Sequence, residues 1–388
     1  MPDPRSTPRW RALVVQAVLV LALAALAYLA AANAAQKLAR QGIVAGFGFL
    51  GRAAGFDIGQ SLMPYAAATA TYFDAFLVGL LNTLLVSGLA IVLSTALGFA
   101  IGIARRAENL LVRAFAAAYI EVFRNLPLLL QLLVWYVAVR VALPAPYDPA
   151  AWGQAAFLSQ RGLFLPRPDF WGLAALVPLA CAAGLFATGL LIRASRRAVA
   201  LGQKPVPVLW PGALLVLGPP ALAWAGLAFA GHPVPVAYPA RGPFDIEGGL
   251  PVRPEFAALL IGLSTYSAAF IAEIVRSGLD SVGRGQREAA AALSLSSAQA
   301  LRLVVLPQAM RVIVPPLTSQ YLNTTKNSSL AVLIGYPDLV HVFMGTVLNQ
   351  TNQAVEVVTL TMCVYLSLSL ATALLMNRYN ARVAGARR

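Results

Sequence analysis

Residues 287–307 read REAAAALSLSSAQALRLVVLP, a short and mildly polar stretch set between long apolar runs. Its alanine-rich first half favours a helix, and Glu288 near the start of that helix suits the positive end of the helix dipole. Ser294 can end the helix through hydrogen bonds between its side chain and the backbone. The stretch therefore predicts a short surface helix, a break, and a return of the chain into an apolar run at Leu306 and Pro307.

The composition is that of a membrane protein. Of its 388 residues, 59% are hydrophobic and only 11% are charged, with a mean hydropathy of +0.72, whereas soluble domains are roughly 25% charged. The net charge of +14 does not indicate nucleic-acid binding, because the basic residues lie at the ends of apolar runs and form no patch with interleaved aromatic residues. The chain is predicted to be an all-α polytopic membrane protein.

About eight apolar runs are long enough to cross a bilayer as helices. They cover residues 12–32, 75–104, 114–139, 171–192, 209–230, 256–275, 303–335 and 357–376. The seventh is irregular. The first has basic residues before it and the pattern Ala32-Asn33-Ala34 after it, as a secretory signal has, but its apolar run is long enough to favour an uncleaved anchor.

The basic residues predict the orientation of these helices. With the N-terminus inside, the inside segments hold 19 Lys and Arg residues and the outside loops hold 8, which agrees with the positive-inside rule. Eight crossings also return the C-terminus to the inside. Both termini and the 287–307 stretch are thus predicted to be cytoplasmic.

Proline marks two outside segments, residues 141–169 and 231–254, which are predicted to be loops because proline opposes helix and sheet interiors. The uncharged fourth and fifth helices between them are predicted to form a hairpin inserted on the outside of the core. Four regions result: residues 1–74 (inside tip, anchor helix and outside segment), 75–143 (core helices two and three), 144–254 (loops and hairpin) and 255–388 (core helices six to eight, with a cytoplasmic loop at 280–307).

The 280–307 loop resembles the EAA loop of ABC importer permeases, with Ser294 in place of glycine and Val304 in place of isoleucine. The matching residues are Glu288, Ala289, Ala290, Leu293, Ser294, Leu306 and Pro307. Similarity to the polar amino acid permeases of that class covers residues 78–105, 119–136, 267–290 and 322–339, which include YIEVFRNLPLLLQLLVWY and LNTTKNSSLAVLIGYPDL. The anchor helix and the hairpin resemble the larger permease subunit of the general L-amino acid transport system.

The resemblance implies a type I ABC importer permease core in a bacterial inner membrane. It implies a partner ATPase that docks on the 280–307 loop and carries ATP-Mg, a second homologous permease subunit, and a periplasmic amino-acid-binding protein. The chain itself is expected to bind no cofactor, since it has no G-x-x-x-x-G-K-[ST] pattern. A metal site is not expected either, because His232 and His341 are solitary and both cysteines fall inside apolar runs.

Glu121 and Arg124 are charges within the third predicted helix, and Asn125 and Pro127 follow them. Arg124 lies 11 residues past Arg113, which places it roughly 16 Å deep. Glu121 is three residues earlier on the same face, and Pro127 interrupts the hydrogen-bond ladder. One interpretation is a site for a zwitterionic substrate. The other is a structural pair in which the two charges neutralise each other, or a helix that starts later, so that both charges lie at the membrane interface.

A run of seven polar residues, 323–329, interrupts the seventh predicted helix and cannot face lipid. Its candidate path residues are Thr325, Lys326, Asn327 and Ser328. The run either lines the translocation path or forms a hydrogen-bonded break, and Pro315-Pro316 is predicted to break the helix just before it. Lys326 could hold a substrate carboxylate or pair with Glu273, although Glu273 is better placed to pair with Arg276.

Two other functions compete with the importer interpretation. A gradient-driven secondary transporter usually shows internal repeats and midplane acids, and the sequence shows no repeat. A membrane-embedded enzyme needs a catalytic group of acids, histidines or metal ligands within the spans, but the two acids placed there, Glu121 and Glu273, have no histidine near them in sequence.

Overall fold

The computed structural model describes residues 46–385, apart from 147, 154, 171, 202–206 and 243–245, together with short stretches between residues 14 and 33. The α-helices of this part of the chain are α1 (Tyr72–Ala104), α2 (Leu110–Asn125), α3 (Leu128–Ala142), α4 (Leu176–Ala200), α5 (Leu209–Phe229), α6 (Pro254–Asp280), α7 (Arg284–Ala292), α8 (Ser297–Ala300), α9 (Leu306–Asn327), α10 (Leu348–Thr351) and α11 (Ala354–Gly385). Segments of 3-10 helix lie at Phe47–Gly51, Gly172–Ala175 and Ser328–Ile334, and π-helical segments at Leu301–Val305 and His341–Val347.

The described helices provide six stretches long and apolar enough to span a bilayer, and the bent pair α2 and α3 provides a seventh if it counts as one span. They correspond to the second to eighth predicted helices. The first, at residues 12–32, lies largely outside the described residues. The prediction of a helical polytopic membrane protein is confirmed.

Helix α1 begins at a capping box. The Thr71 hydroxyl accepts a hydrogen bond from the Asp74 backbone N–H at 3.2 Å, and the Asp74 carboxylate accepts one from the Thr71 N–H at 2.8 Å. Farther along α1, Gly98 faces α6, where an added Cβ would lie 2.6 Å from the Cβ of Ile271. The small residue therefore lets two long apolar helices of the core approach closely.

The prediction of one helix over residues 114–139 is wrong, because the structure divides it into α2 and α3 with a bend of 109°. Pro127 lies between the two helices. Leu126 before it is extended, with φ −90° and ψ 134°, as the residue before a proline prefers. The interruption of the hydrogen-bond ladder predicted at Pro127 is therefore a sharp turn between two separate helices.

The predicted break at Pro315 and Pro316 is also wrong, since both prolines lie inside α9. The neighbouring Ile313, Val314 and Leu317 are buried in the core. Their packing holds the helix continuous although two backbone N–H donors are missing. The irregularity of this span comes at its ends instead, with the π-helical segment before α9 and the 3-10 segment after it.

The two proline-rich segments are not only loops, because short antiparallel strands form in both. The strands are β1 (Ala150–Trp152), β2 (Ala156–Ser159), β3 (Gly162–Leu165), β4 (Arg167–Pro168), β5 (Val236–Ala237), β6 (Ala240–Arg241), β7 (Ile246–Glu247) and β8 (Leu250–Val252). One sheet has the order β1-β2-β3-β8, while β4 pairs with β5 and β6 with β7. Pro251 lies in the edge strand β8, where a missing donor does not interrupt a ladder on both sides.

The chain divides into two compact units, Val139–Pro254 and the remainder. In the Val139–Pro254 unit, α4 and α5 pack as a hairpin in which the Thr188 hydroxyl donates to the Gly212 carbonyl at 3.2 Å. The other unit contains the core helices. One of its apolar clusters joins α6 to α9 through Val275, Leu279 and Ile313, which are almost fully buried.

Candidate functional site

Residues 280–307 form what we call the coupling segment, which leaves α6, turns through α7 and α8, and enters α9. Glu288, Ala289 and Leu293 are exposed on it, whereas Ala290 is only 2% exposed. Helix α7 therefore presents its glutamate and small side chains outward and holds one alanine against the rest of the chain.

Ser294 has a left-handed backbone, with φ 56°. Helix α7 ends there in a Schellman motif, because the Ser294 N–H donates to the Ala291 carbonyl at 2.8 Å and the Leu295 N–H to the Ala290 carbonyl at 3.1 Å. The sequence interpretation, in which the Ser294 hydroxyl makes the break, is corrected. The break is made by the backbone, in the conformation that glycine adopts most easily.

The rest of the coupling segment is also closed by local hydrogen bonds. Helix α8 starts at a capping box, in which Ser296 and Gln299 bond each other's backbone N–H groups at 3.3 Å and 2.9 Å. A π-helical segment then leads to Leu306 at the start of α9, where Pro307 occupies the first turn. Proline fits there because an N–H in the first turn has no helical partner.

Side chains fasten the coupling segment to the helices around it. The Leu279 carbonyl at the end of α6 accepts hydrogen bonds from the guanidinium groups of Arg287 at 2.6 Å and Arg106 at 2.9 Å. Gln308 of α9 donates to Gln286 of α7 at 3.0 Å. Hydrogen bonds thus attach α7 to the end of α6 and to α9.

Charges near the C-terminal end of α6 form a network. Asp280 pairs with Arg106 at 3.2 Å and with Arg276 at 2.8 Å, and Arg276 pairs with Glu273 at 2.6 Å. The pairing of Glu273 with Lys326 that the sequence left open is therefore not what the structure shows.

Glu121 and Arg124 do not pair. The Arg124 guanidinium lies over the ring of Phe270, 5.5 Å from its centre, and Glu121 instead accepts a hydrogen bond from the Asn125 amide at 3.3 Å. Both charged side chains are exposed, and the structure shows no ion pair between them. The structural-pair interpretation is therefore wrong. Arg124 keeps its charge available, next to an aromatic ring that attracts cations.

The carbonyls at the Pro127 break have a partner that the sequence interpretation missed. The Phe123 carbonyl would normally bond the N–H of residue 127, which proline lacks. The side-chain amide of Gln131 donates to the carbonyls of Phe123 and Leu126 instead, both at 2.9 Å. A glutamine four residues after a proline, in an otherwise apolar run, was the signal that could have indicated this.

The polar run 323–329 is split between interior and surface. Thr324, Thr325 and Ser328 are buried, and Thr324 shares a hydrogen bond of 2.9 Å with Ser267 of α6. Lys326 is exposed and Asn327 is half-buried. The run is therefore partly a structural contact, since Thr324 holds α9 to α6, while Lys326 stays exposed.

Asp338 is a buried carboxylate that the sequence interpretation did not select. It is fully buried and accepts hydrogen bonds from the His341 N–H at 2.8 Å and the Tyr365 hydroxyl at 3.2 Å. Burial is the main cause that raises its pKa to about 7. The neighbouring Leu339 N–H donates to the Thr83 hydroxyl at 3.0 Å. The turn therefore joins α1 to α11.

The described residues contain no group of three or more His, Cys, Asp or Glu side chains that could hold a metal ion. The described residues thus offer an exposed glutamate and small side chains on α7 and an exposed arginine, Arg124, near the bend.

Residues 94–385 match the family described as binding-protein-dependent transport system inner membrane component. The chain belongs to this family. Several full-length relatives of this transport component are known by name. YhdX of Escherichia coli strain K12, named as an amino-acid ABC transporter permease protein, is 47% identical over 98% of this chain and 95% of its own length.

Two further relatives of the transport component cover nearly the whole chain. The general L-amino acid transport system permease protein AapQ of Rhizobium johnstonii is 44% identical over 97% of this chain and 93% of its own length. The glutamate/glutamine/aspartate/asparagine transport system permease protein BztB of Rhodobacter capsulatus is 40% identical over 97% and 94%. A gradient-driven secondary transporter finds no support in these comparisons.

Proposed function

We propose that this chain is the permease subunit of an ATP-driven importer of L-amino acids, located in the bacterial inner membrane with both termini in the cytoplasm. The observation that carries the substrate class is the similarity, along nearly the full length, to three permeases whose names specify amino acids. The chain forms the path and hydrolyses no ATP, because ATP-Mg belongs to a separate ATPase subunit.

The ATPase docks on the coupling segment. Glu288 and Ala289 are exposed on α7, and the Schellman motif at Ser294 fixes where that helix ends. Since Arg287 and Gln286 tie α7 to the ends of α6 and α9, movement of the ATPase would be transmitted to the core helices. This supports a coupling role for the segment.

The substrate path passes the α2–α3 bend and the end of α9. Arg124 and Lys326 are exposed cations in the last turns of α2 and α9, and a cation can hold the carboxylate of an amino acid. A second homologous permease completes the path, and a periplasmic binding protein delivers the substrate.

The test is purification of the chain from its native membrane in mild detergent, with mass spectrometry of what accompanies it. We expect an ATPase subunit, a second permease and a binding protein. Glu288→Lys should abolish uptake of labelled L-amino acids and release the ATPase, because a lysine places the wrong charge on the docking face. Glu108→Lys, at an exposed position outside the coupling segment, is the matched control. Unchanged uptake by Glu288→Lys would contradict the docking role.

A further inference from the structure

Gln131 makes two hydrogen bonds across the break in the bent pair, in addition to the first backbone hydrogen bond of α3. Its backbone N–H donates to the Pro127 carbonyl at 3.2 Å, and its side-chain amide donates to the carbonyls of Phe123 and Leu126 at 2.9 Å each. One residue therefore supplies the donor that Pro127 lacks and a second donor for the extended Leu126.

The surroundings of Gln131 offer no substitute for these hydrogen bonds. Its side chain is 5% exposed, and the next residue, Leu132, is fully buried. A cavity of about 330 Å³ at the bend has, apart from Gln131, an apolar side-chain lining of Val122, Phe123, Leu126, Leu130, Val134 and Trp135. An unpaired carbonyl in such surroundings is unfavourable, so the bend depends on the amide.

We propose that Gln131 is a positioning residue for transport, which holds the 109° bend and thereby sets where α2 places Arg124. A bend without its hydrogen bonds would relax toward other angles, and Arg124 would leave the ring of Phe270. This inference rests on the proposed path past Arg124, and it goes beyond it by assigning the bend to one side chain that does not itself contact substrate.

The test compares Gln131→Met in two backgrounds within the complete transporter. Methionine fills a similar volume but donates no hydrogen bond. In the wild-type background, Gln131→Met should lower uptake of labelled L-amino acids about tenfold at equal abundance. In the Pro127→Ala background, residue 127 regains an N–H for the Phe123 carbonyl, so the same change should alter the remaining uptake less than about twofold. Equal fold-changes in both backgrounds would overturn the proposal.

A second measurement reports the geometry of the bend independently of transport. Spin labels at Phe115 and Val137, which are exposed positions on α2 and α3, report the distance between the two arms after both cysteines are replaced. Gln131→Met should broaden or shift that distance, and Leu130→Met, an apolar change at the same cavity, should leave it unchanged. An unaltered distance in Gln131→Met would also overturn the proposal.

The two measurements separate this inference from the proposed path. If Arg124→Ala transports normally but Gln131→Met shifts the distance and lowers uptake, the bend is positioned by Gln131 and the path lies elsewhere. If the distance shifts and uptake is normal, the positioning role in transport is refuted.

Discussion

Ser294 shows how a single backbone angle can preserve a loop whose usual residue is absent. A serine with φ 56° is strained, because its Cβ crowds the backbone in the left-handed region. The two backbone hydrogen bonds of the Schellman motif compensate for that strain. Serine at the position where the resemblance expects glycine therefore leaves the end of α7 intact.

Replacing Ser294 tests this interpretation. Ser294→Gly should stabilise the end of α7 by about 0.5–1 kcal/mol by removing the strain, and Ser294→Val should destabilise it by about 1–2 kcal/mol, because a β-branched side chain tolerates this conformation poorly. Hydrogen exchange at the Leu295 amide, which donates to Ala290, measures the effect. Equal exchange in the glycine and valine variants would contradict the prediction.

The second prediction for a single residue concerns Arg124. Arg124→Ala should remove uptake, because the exposed cation at the bend is lost, while the ATPase still co-purifies. Arg113→Ala, an exposed arginine in the first turn of the same helix, should transport normally. Uptake by purified transporter in proteoliposomes is the measurement, and normal uptake by Arg124→Ala would remove that residue from the proposed path.

Among the elements, apolar runs were the easiest to predict and prolines the hardest. The runs that became α1, α5 and α6 are bounded by polar or turn residues, so their identity as spans followed from length alone. Pro127 and the pair in α9 have the same local effect on the ladder, yet only Pro127 bends its helix. The difference lies in the partners, since Gln131 stabilises the bend at Pro127 while buried neighbours keep α9 continuous.

The strands of the Val139–Pro254 unit were missed for a related reason. Their prolines suggested loops, but Phe157 and Phe164 face each other across β2 and β3 and are buried with Ile246. Pairs of aromatic side chains stabilise short strands. These contacts join segments that are distant in the sequence, so a local sequence pattern does not predict them. The coupling segment was foreseeable because its signal is local, whereas Gln131 and Asp338 act through contacts that only the fold creates.

The turn at Asp338 makes the link between α1 and α11 sensitive to pH. The pKa of Asp338 is raised from its usual value near 3.8 to about 7, so the folded protein holds this proton more tightly than the unfolded chain. Its stabilising contribution is therefore complete below about pH 4 and is lost as pH rises through about 7.

Asp338→Asn removes this dependence. At pH 8 the free energy of unfolding of the variant should exceed that of the wild type by an amount on the order of 2–4 kcal/mol, so the variant should unfold at a higher temperature. The difference should shrink toward pH 5. Asp57→Asn, which removes an exposed carboxylate, is the control. Thermal unfolding of the purified transporter between pH 5 and pH 8 measures both, and parallel curves for wild type and Asp338→Asn would refute the assignment.

For the whole molecule, the charge distribution and the coupling segment lead independently to one orientation. The count of basic residues uses 27 of the 29 Lys and Arg side chains, and it predicts that residues 280–307 lie on the side where ATP is found. Family membership and nearly full-length relatives then agree with a transport component. Composition, loop sequence and homology thus support one another without sharing their premises.

The Gln131 amide also has a consequence for biogenesis. Helices α2 and α3, with 16 and 15 residues, extend about 24 Å and 22 Å, so neither arm alone crosses a hydrocarbon core of about 30 Å. A kinked segment in a bilayer otherwise relies on neighbouring helices, side chains or water to satisfy its backbone. Here the donor lies only four residues after Pro127, so the hydrogen bonds of this turn can form as soon as α3 has been synthesised, without the later helices of the chain.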